Sequence, residues 1–392
     1  MKSRTKAAII GAVLAAGLGY FSLTTPLGDS LVRASYDLPF KFRPFIFPNE
    51  VVMVYLDDAS HEKLHQKYTE VWNRAFHAKL VNRLTAEHAK AVVFDLIFSD
   101  AMDPATDRAF AGAMEQNGNV VLGAELVTTP FGPRGAVEVM LMRPAATFDH
   151  SAADLGLDSV FPDADEEIRT YRPAAKYAGQ STPMSSEAWA GALLADPTLL
   201  ANHALRDSPF WLNYYGPEMA TLPSVSLYQA LADSDPKLPR GFFSNKVVFV
   251  GERLGAELPA NRKDEYGSPY SWMPQNRFFS GVGVHATACL NLIRGDYLRR
   301  LDWMSERIIV IALGILFGVG FVFIRPVPAV MTAILSVVLI ALVDYLFFVK
   351  FHYWFPCLIP MAVQIPIALV WAVASESVQL YGQLLKLQKS QG

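Results

Sequence analysis

The chain has few cysteines and few charged residues for its length. Only Cys289 and Cys357 are cysteines among its 392 residues, so a disulfide framework cannot hold the fold together. Charged residues make up 18% of the chain and the formal net charge is −3, with no basic stripe. A nucleic-acid-binding protein needs such a stripe to neutralise phosphates. The sequence therefore predicts no nucleic-acid partner and a fold stabilised by its own apolar core.

The motifs of several common enzyme classes are also missing. Gly251 and Glu252 are followed by Gly255, but the spacing of a GxGxxG phosphate loop is absent. There is no GxSxG nucleophile elbow, and neither cysteine lies in a recognisable nucleophile motif. We therefore expect a protein that is not an enzyme and needs no cofactor.

Apolar residues, in contrast, make up 52% of the chain and are concentrated near its two ends. Four runs each approach the ~20 residues that a membrane-spanning helix needs. These runs cover residues 7–23, 308–324, 327–349 and 354–374. The predicted segments are a cytoplasmic N-terminus with an anchor helix (1–24), an extracytoplasmic domain (25–305), a three-helix transmembrane bundle (306–375) and a short cytoplasmic helix (376–392).

Basic residues predict the orientation in the membrane, because they tend to stay on the cytoplasmic side. Three of them precede the first apolar run: Lys2, Arg4 and Lys6. A cleaved signal peptide is the alternative, but the run ends in Tyr20 and Phe21, whereas cleavage sites favour small residues. Three later crossings return the C-terminus to the cytoplasm, where Lys386 and Lys389 agree with this orientation.

The segment between the apolar runs alternates buried strands with amphipathic helices. Continuous apolar runs predict strands at 51–56, 91–95, 119–123 and 246–251. Apolar spacing predicts helices at 74–87, 107–116 and 282–294, and Pro223 with Ser224 predicts the start of a helix through Leu231. This alternation predicts an α/β fold with a mostly parallel sheet flanked by helices.

Acidic side chains follow the ends of the predicted strands, which is the edge where open α/β sheets bind ligands. With two residues from later segments they could form one pocket for a small cation or polar solute. The six candidates are Asp57, Asp58, Asp95, Asp100, Asp264 and His285. The alternative is that these side chains cap helices and fix loops.

A second candidate site has the sequence pattern of a zinc site. His61, Glu62 and His65 match HExxH, which on a helix aligns two imidazoles for zinc and offers a carboxylate as a general base. However, Asp58 or Ser60 is typical of a helix N-cap, and a helix that begins there would place the motif in its exposed first turn. A zinc-dependent hydrolase therefore stays an alternative, and no metal is the main expectation.

Several short motifs together resemble the CHASE2 extracellular sensory domains of bacterial signalling receptors. They are VVMVYLDD (51–58), Trp72, Arg74, His77, Leu80, VVFDLIFSD (92–100), Asp107, Phe110, Ala111, Asp163, Asp165, Arg169, LNYYGP (212–217), Phe243, VVFVGE (247–252), Asp264, Ser268, Pro269 and GVGVHA (281–286). The resemblance covers nearly all of residues 30–300, and the arrangement of one preceding and three following membrane helices is also similar. Ser268 replaces a usual Thr, and Asp165 with Glu166 replaces a usual Asp-Gly turn.

The resemblance implies a sensor of the bacterial plasma membrane that binds a ligand or protein outside the cytoplasm. The printed sequence leaves only about 18 residues after the last apolar run, too few for a kinase or cyclase domain. We therefore expect a separate signalling partner, unless the chain is a fragment of a longer receptor. Dimerisation is expected from the family and from Val373, Leu380, Leu384 and Leu387, which have coiled-coil spacing. An envelope assembly protein is the alternative.

Overall fold

The structure is a computed structural model that describes residues 2–131, 136–177, 182–232, 238–253, 264–274 and 278–391. It forms two compact units. The helical unit comprises Met1–Arg43 with Leu298–Gly392, and the α/β unit comprises Pro44–Tyr297.

The regular elements are named here in chain order. The α-helices are α1 (Lys2–Thr24), α2 (Asp29–Asp37), α3 (Asp58–Lys63), α4 (Arg74–Ala86), α5 (Pro104–Asn117), α6 (Ala146–Ser151), α7 (Glu187–Ala195), α8 (His203–Arg206), α9 (Glu218–Thr221), α10 (Leu227–Leu231), α11 (Gly281–Arg294), α12 (Trp303–Phe323), α13 (Pro326–Phe351) and α14 (Ile365–Gln391). The strands are β1 (Val51–Asp57), β2 (Ala91–Asp95), β3 (Val120–Phe131), β4 (Ala136–Met142), β5 (Asp154–Leu157), β6 (Thr170–Tyr171), β7 (Ala174–Ala175), β8 (Met184–Ser185), β9 (Phe210–Trp211), β10 (Ser224–Ser226), β11 (Val247–Arg253), β12 (Glu265–Tyr266), β13 (Phe279–Ser280), β14 (Arg299–Arg300) and β15 (Tyr353–Trp354).

The α/β unit is built on a seven-stranded sheet in the order β10-β1-β11-β2-β3-β4, with β5 also paired to β3. All of these pairs are parallel except β3 with β4. The four predicted strands are confirmed as β1, β2, β3 and β11, and they occupy adjacent central positions. The predicted α/β class with a mostly parallel sheet is therefore confirmed.

One face of the sheet packs on α4, α5 and α10 in the larger apolar core. Alternate strand residues such as Val54, Phe94 and Val250 point into this core, where they meet Leu80 of α4 and Phe110 of α5. Side chains of a strand alternate between faces, so the neighbouring residues of each strand point to the other side. That other face is covered by α7 and α11.

The helices of the α/β unit begin and end where local signals place them. Asp103 caps α5 by accepting the Thr106 N–H, Pro104 occupies the first turn, and Gly118 ends the helix with φ 72°. This combination of N-cap, Pro and left-handed Gly is typical of a well-defined helix. The predicted helix start at Ser224 is wrong, because Ser224–Ser226 adds an edge strand to β1 and α10 begins only at Leu227.

The helical unit contains the four helices that are long and apolar enough to cross a membrane, as the sequence predicts. They are Ser3–Thr24, Trp303–Phe323, Pro326–Phe351 and Ile359–Gln388. A Cβ on Gly11 would lie 2.6 Å from the Gly318 carbonyl oxygen, so α1 and α12 pack closely through small residues. The buried Gln364 amide donates to the carbonyls of Ala15 and Val310 at 3.2 and 2.7 Å, which joins the π-helical segment Ile359–Gln364 to both helices.

His77 of α4 is buried among aromatic rings in the core of the α/β unit. Its ring centroid lies 5.6 Å from Phe94, 5.3 Å from Phe98 and 5.6 Å from Phe110. Neither ring nitrogen has a hydrogen-bond partner within the described residues. Burial, with a smaller effect of Arg74, lowers the pKa of His77 to about 3. The folded protein therefore keeps this histidine neutral.

This lowered pKa predicts a specific dependence of stability on pH. Below pH ~6.5 an unfolded histidine gains a proton that folded His77 cannot accept, so stability is lost as pH falls towards about 3. We expect the stability advantage of His77→Phe over the parent to be roughly 2 kcal/mol larger at pH 5 than at pH 7.5. The measurement is the unfolding midpoint of the detergent-solubilised chain at both pH values. His203→Phe, at an exposed position, is the control, and an equal gap at both pH values for His77→Phe would contradict this account.

Candidate functional site

A row of polar and small residues crosses the sheet near its carboxyl edge. Tyr55 of β1 pairs with Gly251 of β11, and Gly251 pairs with Asp95 of β2. On the other side of β2, Leu122 of β3 pairs with Phe94, so Gly123 lies level with Asp95. Gly123 in turn pairs with Gly156 of β5. Paired residues of parallel strands point to the same face, so this row faces α7 and α11.

Three side chains converge above this row. One ligand atom each of Asp95, Glu187 and His285 lies within 4.8 Å of the other two. Asp95 is the last residue of β2, Glu187 is the first residue of α7, and His285 lies in the first half of α11. The helix starts are fixed locally, because Ser186 accepts the Trp189 N–H and Ser280 accepts the Gly283 N–H.

Two further carboxylates, those of Asp158 and Asp264, act electrostatically on Asp95 and on Glu187. Burial, followed by repulsion from Asp264 and Asp158, raises the pKa of Asp95 well above its usual range. Burial and repulsion from neighbouring acids also raise the pKa of Asp158 to about 7 and, with smaller opposing effects, that of Asp264 to about 6. We name Asp95, Asp158, Glu187 and Asp264 the acidic cluster.

Glu187 is the most deeply buried member of the acidic cluster. Its exposed fraction is 0%, and neither carboxylate oxygen has a hydrogen-bond partner in the part of the chain that the structure describes. Burial, then repulsion from Asp95, raises its pKa well above the usual range. The N-terminus of α7 offsets only about 0.3–1 kcal/mol of this cost, whereas an unpaired buried carboxylate costs several.

The glycines of the row make room for Glu187 itself. A Cβ at Gly123 would lie 2.9 Å from Glu187 Oε1, and one at Gly156 would overlap the backbone of Glu187. Any larger residue at these positions would therefore displace the carboxylate or α7. The sheet and α7 together position this acid on the covered face of the sheet.

His285 is held in one neutral form by its two partners. Nε2 lies 3.0 Å from the Asp158 carbonyl, which can only accept, so Nε2 carries the proton and donates. Nδ1 then accepts the hydroxyl proton of Tyr171 at 2.5 Å. Burial lowers the pKa of His285 to about 4. His285 thus fixes the backbone of Asp158 beside the acidic cluster.

Glu218 is a second buried acid near the same sheet face, and its surroundings differ. It accepts the Tyr55 hydroxyl at 2.5 Å, the Ser280 N–H at 2.8 Å and the Ser280 hydroxyl at 2.5 Å. Its carboxylate is therefore satisfied by donors and links β1 to the start of α11.

The structure brings together half of the six candidates predicted for the acidic pocket. Asp95, Asp264 and His285 lie at the acidic cluster, as described above. Asp57 instead caps α3 by accepting the Ser60 N–H at 2.9 Å, and its other oxygen accepts the Ser226 hydroxyl. These contacts match the alternative reading, in which such side chains cap helices and fix loops.

The other two candidates are exposed and bond to local groups. Asp58 accepts the Tyr68 hydroxyl at 2.8 Å, and Asp100 accepts the Ser99 hydroxyl at 3.2 Å. Whether any of the six residues binds a ligand stays a prediction.

The residues of the HExxH motif do not share a helix. The helix ends at Lys63, and His65 lies beyond it with φ 53°. His61 is buried, stacks on Tyr68 at 4.0 Å, and its Nδ1 lies 2.8 Å from the Gln66 carbonyl oxygen. The two imidazoles therefore lack the arrangement that the zinc pattern requires.

Two members of the acidic cluster, Asp158 and Glu187, are absent from the sequence-based candidates. Asp158 follows β5, which is only four residues long and lies in a region rich in Pro, Gly and Asp. Glu187 opens an apolar helix, where an acid in the first turn is ordinary. One signal in the sequence could have identified Asp158, because it directly follows a strand. Asp95 became a candidate for the same reason, since it lies at the end of a predicted strand.

The chain was compared with protein-family models, curated proteins and solved structures. The family model described as the CHASE2 domain matches residues 9–322. Searches of curated proteins and of solved structures each found no match.

The contrast between Glu187 and Glu218 predicts opposite effects of the same substitution. With a chelator at pH 8, Glu187→Gln removes a buried acid that must either ionise without donors or hold a proton at a cost in stability, and it should stabilise the chain by about 1–3 kcal/mol. Glu218→Gln leaves donors poorly matched and should destabilise it by a similar amount. The measurement is the unfolding midpoint of the detergent-solubilised chain.

The effect of Glu187→Gln should also depend on pH. Because the folded pKa of Glu187 is raised, the parent loses stability as pH rises from the unfolded value of ~4.3 towards the folded value. The advantage of Glu187→Gln should therefore shrink as pH is lowered from 8 to about 5. Destabilisation by Glu187→Gln at pH 8 would mean that the carboxylate has partners after all.

Proposed function

Because the chain belongs to the CHASE2 domain family, a family of sensory domains in signalling proteins, we propose that it is a sensor of the bacterial plasma membrane. In this proposal the α/β unit lies outside the cytoplasm and binds its ligand at the acidic cluster. The helical unit passes the change to a separate partner. The protein itself carries out no catalysis.

The observation that carries the ligand-binding part is the buried carboxylate of Glu187, whose oxygens have no hydrogen-bond partner among the described residues and which packs against two glycine positions of the sheet. A structural acid would be expected to have donors, as Glu218 does. Unsatisfied buried groups with raised pKa values are more common at functional sites than elsewhere. The site therefore favours ligand sensing over an assembly role that needs only a surface.

Basic residues support the proposed orientation. Lys2, Arg4 and Lys6 precede α1, and Lys386 follows the last apolar stretch, so both termini would lie in the cytoplasm. Arg299 and Arg300 lie on the opposite side in this arrangement. Arg300 is neutralised by Glu306, with nitrogen–oxygen distances of 2.7 and 2.9 Å.

The orientation predicts which introduced cysteines an impermeant reagent can reach. Both native cysteines are buried, so background labelling should be low. In spheroplasts, a membrane-impermeant maleimide should label Leu200→Cys, an exposed position of the α/β unit, and should leave Lys386→Cys unlabelled. Lysed membranes, in which both should react, provide the control. Labelling of Lys386→Cys before lysis would contradict the proposed orientation.

Crosslinking in native membranes tests the signalling role. A photoreactive residue at Leu384, which is 59% exposed on α14, should capture a cytoplasmic partner or a second copy of the chain. Lys386 is the matched control, since two residues turn a helix by about 200° and place it on the opposite face. A second probe at the exposed Trp272 reports on the α/β unit.

The pattern of captured proteins distinguishes the two functions. A partner at Leu384 that is weaker at Lys386 supports signalling through α14, and a crosslink between two copies supports the expected homodimer. A partner captured only at Trp272 would instead favour an envelope assembly protein.

A further inference from the structure

We propose that the acidic cluster binds a divalent cation of the hard, oxygen-preferring class, Mg²⁺, Ca²⁺ or Mn²⁺. Asp95 and Glu187 supply carboxylate ligands, and bound water completes the coordination of the ion. This inference rests on the proposed sensory function and names the chemical class of its ligand.

The charge balance of the cluster requires a cation or bound protons. Each charged neighbour identified for Asp95, Asp158 and Glu187 within the described residues is another acid. Repulsion between carboxylates is strong in a covered site, because the effective dielectric there is low. A bound divalent cation would offset this repulsion and give the Glu187 oxygens the partner they lack.

The spacing of the donor atoms fits one ion. A carboxylate oxygen of Asp95 and one of Glu187 lie within 4.8 Å of each other. Oxygen ligands on opposite sides of Mg²⁺ lie about 4.2 Å apart, and those around Ca²⁺ about 4.6–5.2 Å apart. Carboxylates from different elements can therefore reach a shared ion without a large rearrangement.

The donor set favours hard cations over zinc. The cluster offers carboxylate oxygens, which suit Mg²⁺, Ca²⁺ and Mn²⁺, whereas zinc sites usually include His or Cys. Both nitrogens of His285 are engaged, one by Tyr171 and one by the Asp158 carbonyl. His285 is thus a positioning residue that holds Asp158, and neither Cys289 nor Cys357 belongs to the group of candidate ligands among the described residues.

Direct binding of Mn²⁺ to the 392-residue chain tests this proposal. The chain, solubilised in detergent and freed of metal with EDTA followed by desalting, is titrated with Mn²⁺ and free Mn²⁺ is followed by electron paramagnetic resonance. We expect saturable binding of a single Mn²⁺ per chain, with displacement by Ca²⁺ or Mg²⁺. Glu187→Gln and Asp95→Asn should each weaken binding by at least about ten-fold, the loss of one charged ligand.

A control variant separates the site from general acidity. Asp100→Asn removes an exposed acid five positions after Asp95 and should change Mn²⁺ affinity less than about two-fold. Saturating Mn²⁺ should also raise the unfolding midpoint of the parent by mass action, but not that of Glu187→Gln. Because Glu187→Gln is expected to fold at least as well as the parent without metal, its loss of binding cannot be assigned to unfolding.

Three outcomes would overturn the proposal. They are no saturable binding at millimolar Mn²⁺, binding that survives Glu187→Gln, and saturable Zn²⁺ binding with none of Mn²⁺. If cation binding fails while Leu384 still captures a partner, the cation is excluded and the sensory function stands. If a cation binds but no partner is captured at Leu384, the signalling role fails instead.

Discussion

The carboxylate of Glu187 sits on the covered face of a parallel sheet, and much of the surrounding arrangement is a consequence of that position. The acid can occupy this place only because Gly123 and Gly156 lack side chains on the strands beneath it. The start of α7 must then pack directly on β5, which draws Asp158 to the same edge. Asp95 completes the group because its strand pairs next to β3 in the sheet. The site is thus a product of strand order and of glycine positions, with little contribution from any local motif.

The two buried glutamates show how one fold uses the same residue type in two ways. Glu218 receives three hydrogen bonds from Tyr55 and Ser280, so its charge is stabilised and it links a strand to a helix. Glu187 receives none from the described residues and lies among other acids. A fold selected for stability alone would gain by replacing Glu187 with a neutral side chain. The presence of an acid at this buried position is most simply explained by a partner that comes from outside the chain.

The sequence predicts the fold better than the site, and the reason is physical. Buried strands such as β1 and β2 are continuous apolar runs, and α4 has a clear apolar face, so short-range pattern is sufficient for them. Which strand ends lie together depends on strand order, which pattern does not encode. The placement of β11 between β1 and β2 separates Asp57 from Asp95, although both end a strand. Ser224 forms an edge strand for the same reason: its pairing with Met53 is a tertiary contact.

A sensor must couple its ligand to a change elsewhere, and the ligand must therefore bind two arrangements of the chain with different affinities. The helix α11 is well suited to this coupling. Its first turns contact the site region, since Gly281 lies against the Asp264 carboxylate and His285 holds the Asp158 backbone. Its C-terminal end continues through residues 295–302 into α12, the first apolar helix after the α/β unit. A cation that draws Asp264 and Asp158 towards Glu187 would act on groups that contact α11, so binding energy would be available to shift this helix. The same charge that destabilises the cation-free site would then supply the difference in affinity between the two arrangements.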